Sequence, residues 1–448
     1  MREYRGAVVR TRLSRLFAGL LVLGLFVVPQ ATGSSAAGLP DGLDVPVMSF
    51  SSNVSLTPTQ VARVTAAASS VGATAWPLRY ATFPMTAYTR GDEFLMQQPK
   101  GWRVPMGTRV LPVEFVRVTG GQAMAAVLEA GQLLMGENSA RIRGAEVGDG
   151  VTLRDAHGGI HRFTVGMIVS NDFADGEDLI MASPDAFAMG LRKTSRVAVT
   201  GFSRPSAVLD ALRRKGFKPG VDLRVRTSWD LPNPDATLGF ATLKLKLGEF
   251  AFQPTNSDAI HVEDSWRSSQ IDWFHRYSSI PLRNNCHKKV VDAIEGAFAE
   301  IVKAGLRDKI DVGISQRYGG CFVGRYNRLA GLFGSPSRHA FGAAIDLNTT
   351  TNKQWTRPQM DCGVVRVFRK WGFAWGGNFW PSDGMHFEWV GERRDQIGYP
   401  SRYCRNAVPV PTTTVPGTPT STSTTTTSTT TSTTVPTTTT TVSVTTTT

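Results

Sequence analysis

Two short segments of the sequence combine metal-binding side chains with small residues: Ser337-Arg338-His339-Ala340-Phe341-Gly342-Ala343-Ala344-Ile345-Asp346 and Asp383-Gly384-Met385-His386-Phe387-Glu388. A catalytic zinc takes three nitrogen or oxygen ligands and keeps a fourth position open for water, a demand that His339, Asp346 and His386 meet. One histidine on a strand is ordinarily structural. Two of the chain's seven histidines, each with a carboxylate nearby in such a segment, are a stronger signal.

These side chains need elements that bring them to one point. A turn at Phe341-Gly342 reverses the chain, so that His339 and a strand over 342–348 bearing Asp346 face the same place. A strand over 385–390 starts near His386, and alternation puts Glu388 on the same face. Glu388 is therefore a competing base candidate, to which we assign the orienting of a ligand. Asp383 sits in the turn just before. Val290, Ile294, Phe298 and Ile301 recur at helical spacing, with Gly305 as the stop. Residues 309–315 read as a strand and 364–370 as a helix ended near Gly372. Trp375 and Trp380 suit core packing as well as substrate stacking.

The rest of the chain sets the context. Arginines precede an apolar run over 16–28 that Pro29 ends, shorter than the ~20 residues of a spanning helix. Small residues follow, so 1–36 reads as a secretory signal peptide, and a secreted or cell-wall location is expected. Residues 43–232 read as a separate α+β accessory domain, with a hairpin around His157-Gly-Gly159 and short helices at Ser183 and over 205–215. Its pattern Val147-Gly-Asp-Gly-Val-Thr-Leu, then Phe163-Thr-Val-Gly-Met-Ile-Val, resembles the extracytoplasmic domain of macrolide-exporter-type transporter subunits, which implies a membrane partner and carries no chemistry. His157 and His161 there read as solvated turn residues. Residues 233–249 read as a linker or a last strand. Residues 406–448, without a charge among them and rich in Thr, Ser and Pro, read as a disordered tail. Cys286, Cys321, Cys362 and Cys404 lack CxxC spacing and read as two disulfides in an exported chain, with three pairings open. The net charge of +13 suits anionic wall polymers, whereas no basic block with interleaved aromatics argues for nucleic acid.

The pattern SxHxxGxAxD followed by DxMHFE resembles the zinc D-alanyl-D-alanine carboxypeptidase family, which includes endolysin-type L-alanyl-D-glutamate peptidases. The resemblance covers residues 270–395, with Trp375-Gly-Gly-Asn-Phe-Trp380 and the upstream Tyr318-Gly-Gly-Cys-Phe-Val-Gly-Arg325. It implies zinc on His339, Asp346 and His386, Asp383 as general base, and Arg325 polarising the scissile carbonyl, with Arg317 the alternative. It also implies a catalytic domain over 250–405 with a small antiparallel sheet and flanking helices, an α+β chain overall, and a peptidoglycan stem peptide as substrate. A zinc-containing wall-binding protein without activity is the alternative, against which the presence of Asp383 argues.

Overall fold

Runs rich in β-branched and aromatic residues, punctuated by Gly, Pro and Asn, form the strands of a large sheet in the computed structural model, which describes residues 45–255, 258–327 and 334–411. The expected signal peptide and most of the expected tail lie outside the described residues. The strands are β1 (Met48–Leu56), β2 (Thr74–Arg90), β3 (Glu93–Gln97), β4 (Val104–Leu111), β5 (Leu133–Gly136), β6 (Gly150–Arg154), β7 (Ile160–Val169), β8 (Leu179–Ala182), β9 (Thr194–Thr200) and β10 (Arg224–Thr227). Their order is β10-β1-β9-β2-β4-β8-β5-β7-β6, with β3 on β2.

The 17-residue β2 pairs with β9 and β4 along its first part and with β6 along its last. The pairings β2-β4-β8-β5-β7-β6 therefore return to β2 and close a barrel, which removes free strand edges. Phe83, Met85, Met106, Met135, Leu153 and Val165 fill it. Outside the ring, alternation sends Met48, Phe50, Val197 and Val199 into a second core against the helices Pro58–Ser69 and Pro205–Arg214. Ser49, Ser51, Arg196, Arg224 and Arg226 take the opposite face. The hairpin around His157 and both expected short helices are present as β6–β7, Ser183–Ala188 and Pro205–Arg214.

Residues 233–249 hold the helix Phe240–Leu247 rather than a strand. Phe240, Leu243 and Leu247 recur at helical spacing and join the C-terminal core, while the buried Lys244 ammonium lies 2.8 Å from both Asp178 and Glu249. Beyond it come β11 (Phe252–Pro254), β12 (Ile260–Val262), β13 (Ile271–Arg276), β14 (Arg283–His287), β15 (Tyr318–Gly320), β16 (Ala344–Leu347), β17 (Phe373–Trp375) and β18 (His386–Trp389). The last four form an antiparallel sheet in the order β15-β16-β18-β17. The helices Lys288–Lys303 and Cys362–Lys370 share its core, where Val290, Ile294, Phe298 and Ile301 meet Phe368 and Phe387.

The strand expected over 309–315 is not formed. Arg307–Lys309 and Ser315–Arg317 are 3-10 turns instead, because side chains claim the local backbone: Asn348 accepts from the Asp311 N–H, and Asp311 accepts from the Gly313 N–H. The disulfides are Cys286–Cys321 and Cys362–Cys404, one of the three open pairings.

Candidate metal centre

The register of the small sheet assembles the site. On β16 and β18, Asp346 is directly opposite His386 and Ala344 opposite Glu388, so both acidic residues and His386 share one face. His339 arrives from the 3-10 turn Arg338–Phe341, which Ser337 caps by accepting from the His339 N–H, and which Gly342 ends at φ 62°. Glycine is also required at 320: a Cβ there would sit 3.0 Å from His339 Nδ1 and 2.7 Å from the Ala344 carbonyl, at φ +90°.

His339, Asp346 and His386 each present one ligand atom, all within 4.8 Å of one another. His339 Nδ1 lies 3.1 Å from the Cys321 carbonyl, which leaves Nε2 facing Asp346 Oδ2 at 3.5 Å. That buried Nε2 has no hydrogen-bond partner, as expected of a ligand atom waiting for a cation. His386 Nδ1 lies 3.0 Å from Asp346 Oδ1, and its Nε2 is 3.6 Å from Glu388 Oε2. Glu388 also accepts from Arg338 Nε at 3.0 Å, so this carboxylate fixes the far side of the His386 ring. The donor set of two imidazoles and one carboxylate fits zinc.

The charges are tightly coupled. Burial pushes the Asp346 carboxyl up, but the two histidines outweigh it and hold it well below the usual carboxylate range. Burial disfavours charge on His386, yet Asp346 and Glu388 raise its pKa to about 10. Burial likewise pushes Glu388 up, and Arg338 and His386 reverse the sign. Asp383 differs: burial raises its pKa, nearby Asp346 adds to the rise, and the histidines and Arg325 only partly oppose it. Its Oδ1 is buried without a hydrogen-bond partner.

A cavity of ≈ 230 Å³ opens over the site, lined by Asp383, Arg325, Asn327, Gln354 and Trp380 as well as the three metal candidates. Arg325 is therefore on the cavity wall. Arg317 is not; it forms an ion pair with Asp311 at 3.0 Å, with two-fifths of each side chain exposed. Trp375 is buried and donates to the Gly384 carbonyl, bracing the turn that carries Asp383. His161 Nε2 lies 2.9 Å from Asp155 Oδ2 beside the distant β6–β7 turn.

Residues 334–389 match the family described as D-alanyl-D-alanine carboxypeptidase. The carboxypeptidase-family segment contains His339, Asp346, Asp383, His386 and Glu388, and it begins downstream of Arg325. Comparison with curated proteins returns no match. Three features of this peptidase-like site were missed in the sequence. Arg338, between Ser337 and His339, anchors Glu388; its position in the motif was the available signal. The Cys321 carbonyl that orients His339 left no side-chain signature. Asp235 is the third: it accepts from the Trp375 N–H at 3.0 Å, Asn378 at 2.9 Å and the buried Arg369 guanidinium at 2.6 and 2.9 Å.

Proposed function

We propose that this chain is an exported zinc metallopeptidase that hydrolyses stem peptides of peptidoglycan, as a D-alanyl-D-alanine carboxypeptidase or a related endopeptidase. Its chief support is the placement of an unpartnered, buried Asp383 oxygen in the same cavity as the His339-Asp346-His386 ligand set. A zinc ion held by these three residues supplies a Lewis acid that polarises a carbonyl and makes water acidic near neutral pH. Asp383 Oδ1 takes the proton from the attacking water and passes it to the leaving amine. Its environment suits that task, since burial brings a carboxylate closer to the basicity a proton shuttle needs. Arg325 places guanidinium donors on the cavity wall for the oxyanion. Glu388 and the Cys321 carbonyl hold the two imidazoles in orientation.

Export accords with two disulfides, which persist outside the reducing cytoplasm. No helix among the described residues is long and apolar enough to cross a membrane. We assign residues 43–232 to an accessory domain and 250–405 to the catalytic domain, and retain a membrane partner for the former as a proposal. Metal analysis of the purified protein, with mass spectrometry of defined muropeptides after digestion, tests the assignment. Released D-alanine identifies a carboxypeptidase, a cut within the stem an endopeptidase, and intact muropeptides with zinc bound overturn the enzymatic reading in favour of a wall-binding protein.

A further inference from the structure

The metal cavity does not stand alone. Asn327, Arg338, Phe379, Trp380 and Glu388 line it on one side and, on the other, a larger cleft of ≈ 640 Å³ whose floor is the outer face of β1, β9 and β10. That floor is basic by register. Ser51 pairs with Arg224 of β10 on one side and with Arg196 of β9 on the other, and Ser49 pairs with Arg226. Two inter-strand spacings put the Arg196 and Arg224 backbones ~10 Å apart, with only a serine between them. Arginines gathered on one sheet face repel one another, so the arrangement favours an anionic ligand between them.

Among the described residues no carboxylate is ion-paired with Arg196 or Arg224, neither side chain makes a hydrogen bond, and Asp230 acts on Arg224 only from further off. Arg226 donates to the Tyr399 hydroxyl and reaches Asp230 only at 3.8 Å. Burial, reinforced by Arg226, lowers Arg224 to about 10. The acidic residues of the cleft are mostly engaged elsewhere. Asp235 is bound to Arg369 and Glu388 to Arg338, and burial raises Glu177, which accepts from the Phe240 N–H, to about 7. Asp175 stands beside Arg109. A further cavity of ≈ 610 Å³ continues past Phe379 and Trp380, with Arg224, Arg226, Arg357 and Arg402 in its walls and no acidic residue. The exposed indole of Trp355 stands in the same wall.

We propose that this arginine-walled cleft binds a carboxylate-bearing segment of the peptide whose scissile bond lies in the metal cavity, with Arg196, Arg224 and Arg226 as the carboxylate-binding residues. The inference rests on the peptidase reading. Guanidinium forks pair with carboxylates through two parallel hydrogen bonds, and the continuity of the walls favours one ligand running from the cleft into the metal cavity. The barrel's extension thereby becomes part of the substrate-binding surface, and the preferred substrates are acidic peptides.

Binding to the full chain, stripped of metal by chelation, separates this from catalysis. The probes are a tetrapeptide with a free glutamate carboxylate and its glutamine counterpart, titrated by calorimetry. The wild type should bind the acidic peptide at least ~10-fold more tightly, the scale of a charge-assisted contact. The double variant Arg196→Gln/Arg224→Gln should lose that preference, and Arg196→Lys/Arg224→Lys, which keeps the charge, should retain part of it. Equal affinity of the wild type for both peptides, or a preference that survives the glutamine variant, overturns the proposal. Tighter binding of polyglycerol phosphate than of the acidic peptide also overturns it, assigning the cleft to a wall polymer. Charge preference without cleavage by the zinc-loaded protein refutes the peptidase reading alone, whereas cleavage without charge preference refutes this inference alone.

Discussion

Replacing Asp383 by asparagine separates proton transfer from every other property of the site. The two side chains have the same shape, but a carboxamide cannot accept the proton of an attacking water. Loss of a positioned general base costs ~10²–10⁴-fold, equivalent to ~3–5 kcal/mol in the barrier. Asp383 lies outside the group of three residues whose ligand atoms cluster within 4.8 Å, so zinc content should not change. Stability should not fall either, because Oδ1 has no hydrogen bond to lose and burial already disfavours its charge. The assay combines steady-state hydrolysis of a defined muropeptide, metal content by mass spectrometry and thermal unfolding, all on one preparation. Turnover within a few-fold of wild type refutes Asp383 as the base, and loss of zinc shows that it is a ligand instead.

Other outcomes follow from the same geometry. His339→Ala should lose zinc along with activity, checked by metal analysis. Asp235→Ala should destabilise the fold by ~3–5 kcal/mol in urea unfolding, since it strands the fully buried Arg369 guanidinium. In the metal-free site His386 titrates at about 10, so it is protonated at pH 7 and must lose that proton to ligate. Zinc affinity should therefore rise with pH up to that value, with close to one proton released per ion, measurable by calorimetry in buffers of different ionisation enthalpy. Arg317→Ala should leave hydrolysis within about twofold, because its partner is an exposed acid. Arg325→Ala should lower kcat more than ~100-fold if it steadies the oxyanion, as read from steady-state kinetics.

Most of the candidate metal centre was legible because its residues lie in two compact segments with characteristic spacing. Strand alternation alone placed Glu388 beside His386, and Gly342 marked the turn that carries His339. The long C-terminal helix Lys288–Lys303 followed from apolar periodicity. Legibility failed where long-range pairing decides. The barrel closes because β2 changes partners along its length, which nothing local records. Residues 309–315 look like a strand by composition, but Asp311 and Asn348 redirect the backbone. Asp235 sits in what reads as connecting chain, and its partners Arg369, Trp375 and Asn378 lie more than a hundred residues away in sequence. The arginine cleft was equally invisible, since Arg196 and Arg224 become neighbours only through their common pairing with β1.

Asp235 has a practical consequence for anyone trimming the protein to its recognisable part. A fragment cut to residues 334–389 would carry every metal candidate, yet it would separate Cys362 from Cys404 and remove β15 from the edge of β16. It would also bring Arg369 into a fragment lacking Asp235, the only carboxylate paired with it among the described residues. The smallest autonomous unit must therefore begin upstream of residue 235 and extend past 404, so the boundary drawn by sequence likeness is much narrower than the one drawn by charge.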